Sequence, residues 1–349
     1  MSTLARAWRG EAPLLSAALT PLSWAYGLGA RAHRGLVASG AFRRARAELP
    51  IVSVGNLVAG GAGKTPVTLE LARRLMRAGL AVAVLSRGYG RSSHGLVVVS
   101  DGATCAVSAS DGGDEPVWLA RKLPGLVVIA AENRAEAACR AKALQVDIAL
   151  LDDGFSHHML ARDEDILVVD STLGFGNRRL LPAGPLREPA SQARRATLAW
   201  LTRCESASAE PPAELLEKPL VRSRYVATSL AGLDLAPQEP LAALRHRPIV
   251  AVSGIARPEE FAAALRALGA SIDRHHAFGD HHRFTPAEVA ALERQAAGIL
   301  VTTEKDAVRL QPLASPDRWR ALAMEVEVIG DASALDAVVR RFARPRGTA

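Results

Sequence analysis

Cysteine is scarce in this chain. Cys105, Cys139 and Cys204 are odd in number and far apart. That excludes a disulfide framework and the paired spacings of a zinc site, and it points to a reducing compartment. Aromatic residues are only 4%, and no nucleic-acid motif accompanies the formal charge of +7, so nucleic acid is not expected as a partner. Lysine is rare too: five of the 43 basic residues, so part of the basicity reflects an arginine-rich composition. No short repeat is visible, and no obligate protein partner is inferred. What remains is 49% hydrophobic and 23% charged, the composition of a globular protein. A length of 349 residues suits two domains better than one.

The basic excess is concentrated at the N-terminus. Within residues 1–50, arginines 6, 9, 31, 34, 43, 44 and 46 face only Glu11 and Glu48. Between Glu11 and Arg31 runs APLLSAALTPLSWAYGLGA, without a charge. As a helix it would span about 28 Å, just short of a hydrocarbon core. Pro13 and Pro21 interrupt it. Ser16, Thr20, Ser23 and Gly27 recur as a small polar stripe, with Leu15, Leu19, Leu22 and Tyr26 as an apolar one. The pattern predicts a helix lying in an anionic membrane interface, with Trp24 and Tyr26 near headgroup depth. A soluble helix packed on the protein is the simpler alternative. No convincing cleavage site follows, so a secretory signal is not expected.

After residue 50 apolar runs alternate with amphipathic stretches. Strands are predicted at 50–54, 81–86, 95–99, 126–130, 147–152 and 165–170, and helices near 64–78, 115–123 and 133–144. Such alternation implies an α/β fold, a parallel sheet of P-loop NTPase type with helices on both faces. A polar, Pro/Glu-rich stretch, ESASAEPPAELLEKP, marks a linker. A second alternation follows, with helices at 258–268 and 286–297, and reads as a smaller Rossmann-like α/β domain. The expected division is a membrane-associating segment at 1–48, a P-loop domain at 49–202, a linker at 203–230 and a C-terminal domain at 231–349.

The densest chemistry lies in IVSVGNLVAGGAGKTP, residues 51–66. A strand feeds a glycine-rich turn, and a helix begins at Lys64. Backbone N–H groups converge there at a helix N-terminus, which favours an anion. Val58, Ala59, Gly60, Gly61, Ala62, Gly63, Lys64 and Thr65 are therefore predicted to bind nucleotide, although Val58 stands where the general pattern has glycine. Lys64 would reach the β- and γ-phosphates, and the Thr65 hydroxyl would ligate Mg²⁺. Such a loop needs an acid at the end of a neighbouring strand, and VDIALLDDG supplies Asp152 and Asp153. An Asp-Asp-Gly turn is the plainer explanation for that pair.

These motifs stand in order with SRGYGR (86–91), GDEP (113–116), LDDGFSHH (151–158), LLPAGPLREP (180–189), FGDHH (278–282) and TEKD (303–306). The ordered set resembles the tetraacyldisaccharide 4'-kinase family over roughly residues 50–310, and the basic, apolar N-terminus looks like that family's membrane-associating segment. The family loop runs G-N-L-x-x-G-G-x-G-K-T-P, so it also lacks the usual first glycine. It often carries a hydroxyl residue at the position of Val58 and Gln at that of Ser156. The resemblance implies transfer of the γ-phosphoryl group of ATP, with Mg²⁺, to the 4'-hydroxyl of an acylated glucosamine disaccharide 1-phosphate. It also implies a peripheral location on the cytoplasmic face of the inner membrane.

An alcohol acceptor must lose a proton, and the resemblance suggests Asp114 near the acceptor with His281 reaching in from the second domain. Taken alone, Asp114 would serve equally as the N-cap of the helix at 115–123. Zinc is not expected at the three His-His pairs, because adjacent strand residues point to opposite faces. Arg187 and Glu188 resemble residues near the phosphates, with a structural ion pair as the alternative. Arg87, Tyr89 and Glu115 are substrate-side candidates, and Glu304, Lys305 and Asp306 would pin a domain interface. Two other readings stay open: a P-loop switch or metallochaperone-type NTPase acting on a protein, and a membrane-surface adaptor with a degenerate loop.

Overall fold

The computed structural model describes residues 3–39 and 44–343; Arg43 and the ends of the chain lie outside the described residues. The chain opens with helices α1 (Thr3–Trp8), α2 (Pro13–Ala18) and α3 (Thr20–Ala38), then β1 (Ile51–Gly55), α4 (Lys64–Arg77) and β2 (Val82–Ser86). Next come β3 (Val97–Asp101), α5 (Ala109–Gly112), α6 (Asp114–Lys122), β4 (Val127–Ala130), α7 (Arg134–Ala143), β5 (Ile148–Asp152), β6 (Glu164–Asp170) and β7 (Leu198–Thr202). The remainder is β8 (Leu220–Ala231), β9 (Pro237–Glu239), β10 (Pro248–Ser253), α8 (Pro258–Ala267), β11 (Ser271–Ala277) and α9 (Pro286–Gln295). It ends with β12 (Ile299–Thr303), α10 (Glu304–Leu310), β13 (Trp319–Ile329) and α11 (Ser333–Ala343).

The chain forms two compact units from interleaved segments. The first takes residues 1–86, 133–224 and 326–349, and the second takes 87–132 and 225–325. This differs from the contiguous division expected from the sequence: the segment carrying GDEP belongs with the C-terminal half. Linear composition marks linkers, but it carries no record of which distant segments share a core.

In the first unit the strand order is β7-β6-β1-β5-β2, and each neighbouring pair is parallel. β1, β2, β5 and β7 are buried along their whole length, which is why they read as unbroken apolar runs rather than alternations. Helix α4 covers the sheet with Val67, Leu71, Ala72 and Leu75. Its buried Glu70 is paired with Arg73 and Arg74 at 2.9 and 2.8 Å, so the charge is not left alone in the core. Asn133 caps α7 by accepting from Ala135 N and Glu136 N.

In the second unit β11-β10-β12-β13 run in that order, all parallel. β3 and β4 form an antiparallel pair, and α6 and α10 pack together. Thr285 and Glu288 form a reciprocal capping box at the start of α9.

The N-terminal helices break at Leu19, just ahead of Pro21, and their two faces are reversed relative to a simple surface helix. Ser16, Ser23 and Gly27 face the protein. Ser16 Oγ donates to Ala183 O at 2.7 Å and Ser23 Oγ to Leu180 O at 2.9 Å. Gly27 lies so close that a Cβ would sit 2.9 Å from Leu180 Cδ1. The outward side carries Leu14, Leu22, Trp24 and Leu28, with exposures of 87%, 59%, 70% and 65%. Of the expected apolar stripe, Leu22 and Tyr26 are exposed while Leu15 and Leu19 are half-buried; the outward face runs through Leu14, Trp24 and Leu28 as well. No helix among the described residues is long and apolar enough to cross a membrane.

Candidate active site

The glycine-rich loop leaves β1 at Gly55, where a Cβ would fall 2.5 Å from Phe155 N. That glycine lets the loop strand pack against the chain that follows Asp152 and Asp153. Gly63 then takes φ 77° as the N-cap of α4, a left-handed conformation that costs other L-residues about 1 kcal/mol or more. Lys64 and Thr65 open the helix, and Pro66 is tolerated because first-turn N–H groups have no intrahelical partner. Val58 is 4% exposed and packs in a cluster with Leu57, Phe155 and Leu186, while its carbonyl accepts from Arg187 Nε at 3.3 Å. This position contributes its backbone oxygen and a core contact, so a side chain larger than glycine fits.

The two acids divide their partners. Asp152, buried at the end of β5, accepts from Thr65 Oγ1 at 3.2 Å and Thr68 Oγ1 at 3.0 Å. Asp153 follows in the left-handed region at φ 55°, a conformation Asp tolerates better than most residues. That turn aims its carboxylate at Lys64 Nζ, 3.6 Å away, and at both terminal nitrogens of Arg187, 3.0 and 3.1 Å away. Burial alone would raise the Asp153 pKa, but Lys64 and Arg187 outweigh it and hold the carboxyl below its ordinary value. Arg187 also donates to Asn56 Oδ1 at 2.6 Å.

Asn56 Nδ2 is buried with no hydrogen-bond partner among the described residues. An unsatisfied donor beside Lys64, Arg187 and a helix N-terminus is a fit for an anionic oxygen. Thr65 and Asp152 suit Mg²⁺, which takes one or two protein oxygens and completes its shell with water and phosphate. No group of three or more His, Cys, Asp or Glu is placed to share a metal among the described residues.

Glu188 sits in its own network. His158 Nε2 is 3.3 Å away, Arg195 Nη2 3.3 Å and Arg34 Nη1 3.8 Å. Burial opposes its ionisation, yet the hydrogen bond from His158 and the charge of Arg195 bring the carboxyl down to about 2.

The second unit carries a separate polar cluster. Helix α6 begins at Asp114 with Gly113 as its N-cap, so the carboxylate is not spent on capping, contrary to the local expectation. Gly113 has φ 91°, and a Cβ there would meet Gly88 Cα at 3.0 Å. Asp114 Oδ2 instead lies 3.1 Å from His281 Nδ1 and accepts from Arg309 Nη1 at 3.1 Å. Both Asp114 and His281 belong to this unit, which differs from the expectation of partners from two domains. His281 is left-handed at φ 57°. Its hydrogen bond with Asp114 raises the imidazole pKa above the ordinary 6.5, against a lowering by burial.

Tyr89 lies edge-on to His281 at 5.9 Å between ring centroids and is 75% exposed; Arg87 is exposed as well. Glu115 pairs with Lys305, and Glu304 with Lys122. Asp306 accepts from Gly254 N at 3.0 Å. The two ion pairs fasten α6 to α10, and the Asp306 bond ties α10 to the end of β10, all within one unit rather than between two domains.

Sequence reasoning missed Asn56, Thr68 and Arg309. Asn56 lay inside the quoted loop, and Thr68 is one helical turn beyond Thr65. Arg309 lies four residues after Lys305, on the same face of its helix.

With this geometry in view, the relatives are informative. The family profile described as LpxK, tetraacyldisaccharide-1-P 4'-kinase, matches residues 15–344. A tetraacyldisaccharide 4'-kinase of Anaeromyxobacter dehalogenans is 45% identical over 343 residues, covering 94% of this chain and 89% of the relative. That of Geobacter metallireducens is 43% identical, covering 86% and 90%. The crystal structure of LpxK from Aquifex aeolicus in complex with ATP superposes with a TM-score of 0.80 at 32% identity, over 95% of this chain and all of that one. The chain therefore belongs to the tetraacyldisaccharide 4'-kinase family.

Proposed function

We propose that this protein transfers the γ-phosphoryl group of ATP to the 4'-hydroxyl of an acylated glucosamine disaccharide 1-phosphate, a step in lipid A synthesis. The observation that carries the reading is the phosphate cradle: Lys64, Arg187 and the unsatisfied Asn56 Nδ2 converging at the N-terminus of α4, in a chain of this family. When bound, ATP with Mg²⁺ supplies the phosphoryl group and partly neutralises its oxygens.

The loop backbone from Val58 to Thr65 holds the phosphates, and Lys64 and Arg187 hold the negative charge of the transferring group. Thr65 and Asp152 are the metal-side pair. Of the two acids, Asp152 would hold the metal with Thr65, since Asp153 is already engaged by two cations. The acceptor's hydroxyl proton passes to the Asp114–His281 pair, whose members share a hydrogen bond. Arg309 keeps the Asp114 carboxylate oriented. Arg87, Tyr89 and Glu115 serve the acceptor side, and Glu188 anchors the chain next to Arg187 through His158 and Arg195. A switch or metallochaperone-type NTPase would leave the Asp114–His281–Arg309 cluster without a task.

The test is purified protein with γ-labelled ATP, Mg²⁺ and the acylated disaccharide 1-phosphate, with label followed into lipid. ATP hydrolysis that ignores the lipid, with no transfer, would sink the kinase reading.

The outward apolar face of α2 and α3, with exposed Arg31 on α3, supports peripheral attachment to an anionic leaflet on the cytoplasmic side. Recovery of the full chain on anionic vesicles is expected to fall as salt rises. It is expected to fall further in the triple variant Leu22→Gln, Trp24→Gln, Leu28→Gln. Attachment that only detergent reverses would contradict this.

A further inference from the structure

The N-terminal helices α1 and α3 are bonded to the segment that carries the phosphate-side arginine. Trp8 Nε1 donates to Pro182 O at 3.0 Å, Ser23 Oγ accepts from Ala183 N at 2.9 Å, and Arg179 Nη1 donates to Thr20 Oγ1 at 3.0 Å. Further along α3, Tyr26 Oη donates to the backbone carbonyl of Arg187 itself at 3.0 Å. About two turns beyond, Arg34 Nη1 stands 3.8 Å from Glu188 and has no hydrogen-bond partner among the described residues.

The other side of Arg187 faces the phosphate loop. Its N–H donates to Leu57 O at 2.8 Å, and its guanidinium reaches Asn56, Val58 O and Asp153. Arg187 is thus held between α3 and the loop, with no other secondary-structure element between them. Tyr26, 39% exposed, spends its hydroxyl on this bond, while Leu22, Trp24 and Leu28 are more exposed and make no such contact among the described residues.

From these contacts we infer that α3 is a positioning element for the reaction: Tyr26 and Arg34 set Arg187 and Glu188, so that docking of the helix's outer face on lipid is transmitted to the arginine on the transferring phosphate. The inference rests on the phosphotransfer reading above. A bilayer that fixes the rotation of α3 about its axis also fixes the height of the Arg187 carbonyl. Misplacement of such a group by about 1 Å can cost on the order of 100-fold in rate.

The experiment uses the full chain with γ-labelled ATP and the acylated disaccharide 1-phosphate dispersed in detergent micelles, which removes membrane recruitment from the measurement. The double variant Tyr26→Phe, Arg34→Gln is expected to lose roughly ten-fold in kcat, from two interactions of ordinary strength. The KM for ATP and recovery on anionic vesicles should stay at wild-type values. In an Arg187→Ala background the same pair of substitutions should cause no further loss, because the residue they position is gone.

Wild-type kcat in the double variant overturns the inference, and so does an equal loss with and without Arg187. A fall in melting temperature large enough to confound the double variant is met by Tyr26→Phe alone, an isosteric change expected to cost about three-fold in kcat. Wild-type turnover in that variant counts against the inference as well. Absence of transfer by the wild-type protein would instead remove the phosphotransfer reading on which the inference stands.

Discussion

Replacing Lys64 by alanine is expected to lower phosphoryl transfer by on the order of 100-fold or more, with the fold intact. Lys64 is the first residue of α4, its side chain 14% exposed and its Nζ 3.6 Å from Asp153. In the partly desolvated mouth of the loop a fixed cation is worth far more than in water, and removal of one preorganised charge-stabilising group typically costs 10² to 10³. Arg187 still pairs with Asp153 through both its terminal nitrogens, so the variant leaves no uncompensated buried acid. Its melting temperature should therefore move little. Labelled transfer kinetics decide the matter, and a near-normal rate would take Lys64 out of the mechanism. The membrane-adaptor reading makes that opposite prediction.

The loop was legible in the sequence because its signals are local: an apolar run, glycines, then Lys-Thr at the start of an amphipathic stretch. The elements around it were legible for the same reason, since β1, β5 and β6 are continuous apolar runs and α4 and α7 carry helical periodicity. Val58 misled only when judged as a side chain. Its carbonyl and its buried isopropyl group are what the structure uses.

Long-range assembly was less accessible. Asp114 lies 167 residues from His281 and 195 from Arg309, and no periodicity reports such a meeting. Its position at a helix start made capping the locally cheaper explanation. The family resemblance supplied the pairing, but not that both partners share one compact unit. The N-terminal helix shows the converse limit. A stripe of Ser, Thr and Gly reads as the watery side of a helix until a loop of carbonyls, 180–183, presents itself to be bonded. Once those hydroxyls are satisfied inside, the leucines and Trp24 are left facing out.

Asp114→Ala is expected to reduce turnover by on the order of 100-fold or more while leaving the KM for ATP unchanged. A positioned base contributes about 10² to 10⁴, and Asp114 meets His281 and Arg309 rather than the phosphate loop. The same variant has a signature in stability. The hydrogen bond with Asp114 is the largest cause of the raised His281 pKa, so the folded value stands above the ordinary 6.5. Stability from protonated His281 is then fully present below that ordinary value and is lost as pH rises through the raised folded one. Melting curves taken between about pH 5 and about pH 8 should show wild type losing stability relative to Asp114→Ala as pH rises through that window. The pH-dependent part of their difference is the His281 contribution; the Arg309 contact adds an offset, because a guanidinium does not titrate there. If the difference were flat across that range, the Asp114–His281 bond would carry no free energy in the folded protein. Full turnover in the variant would assign the hydroxyl proton to some other acceptor.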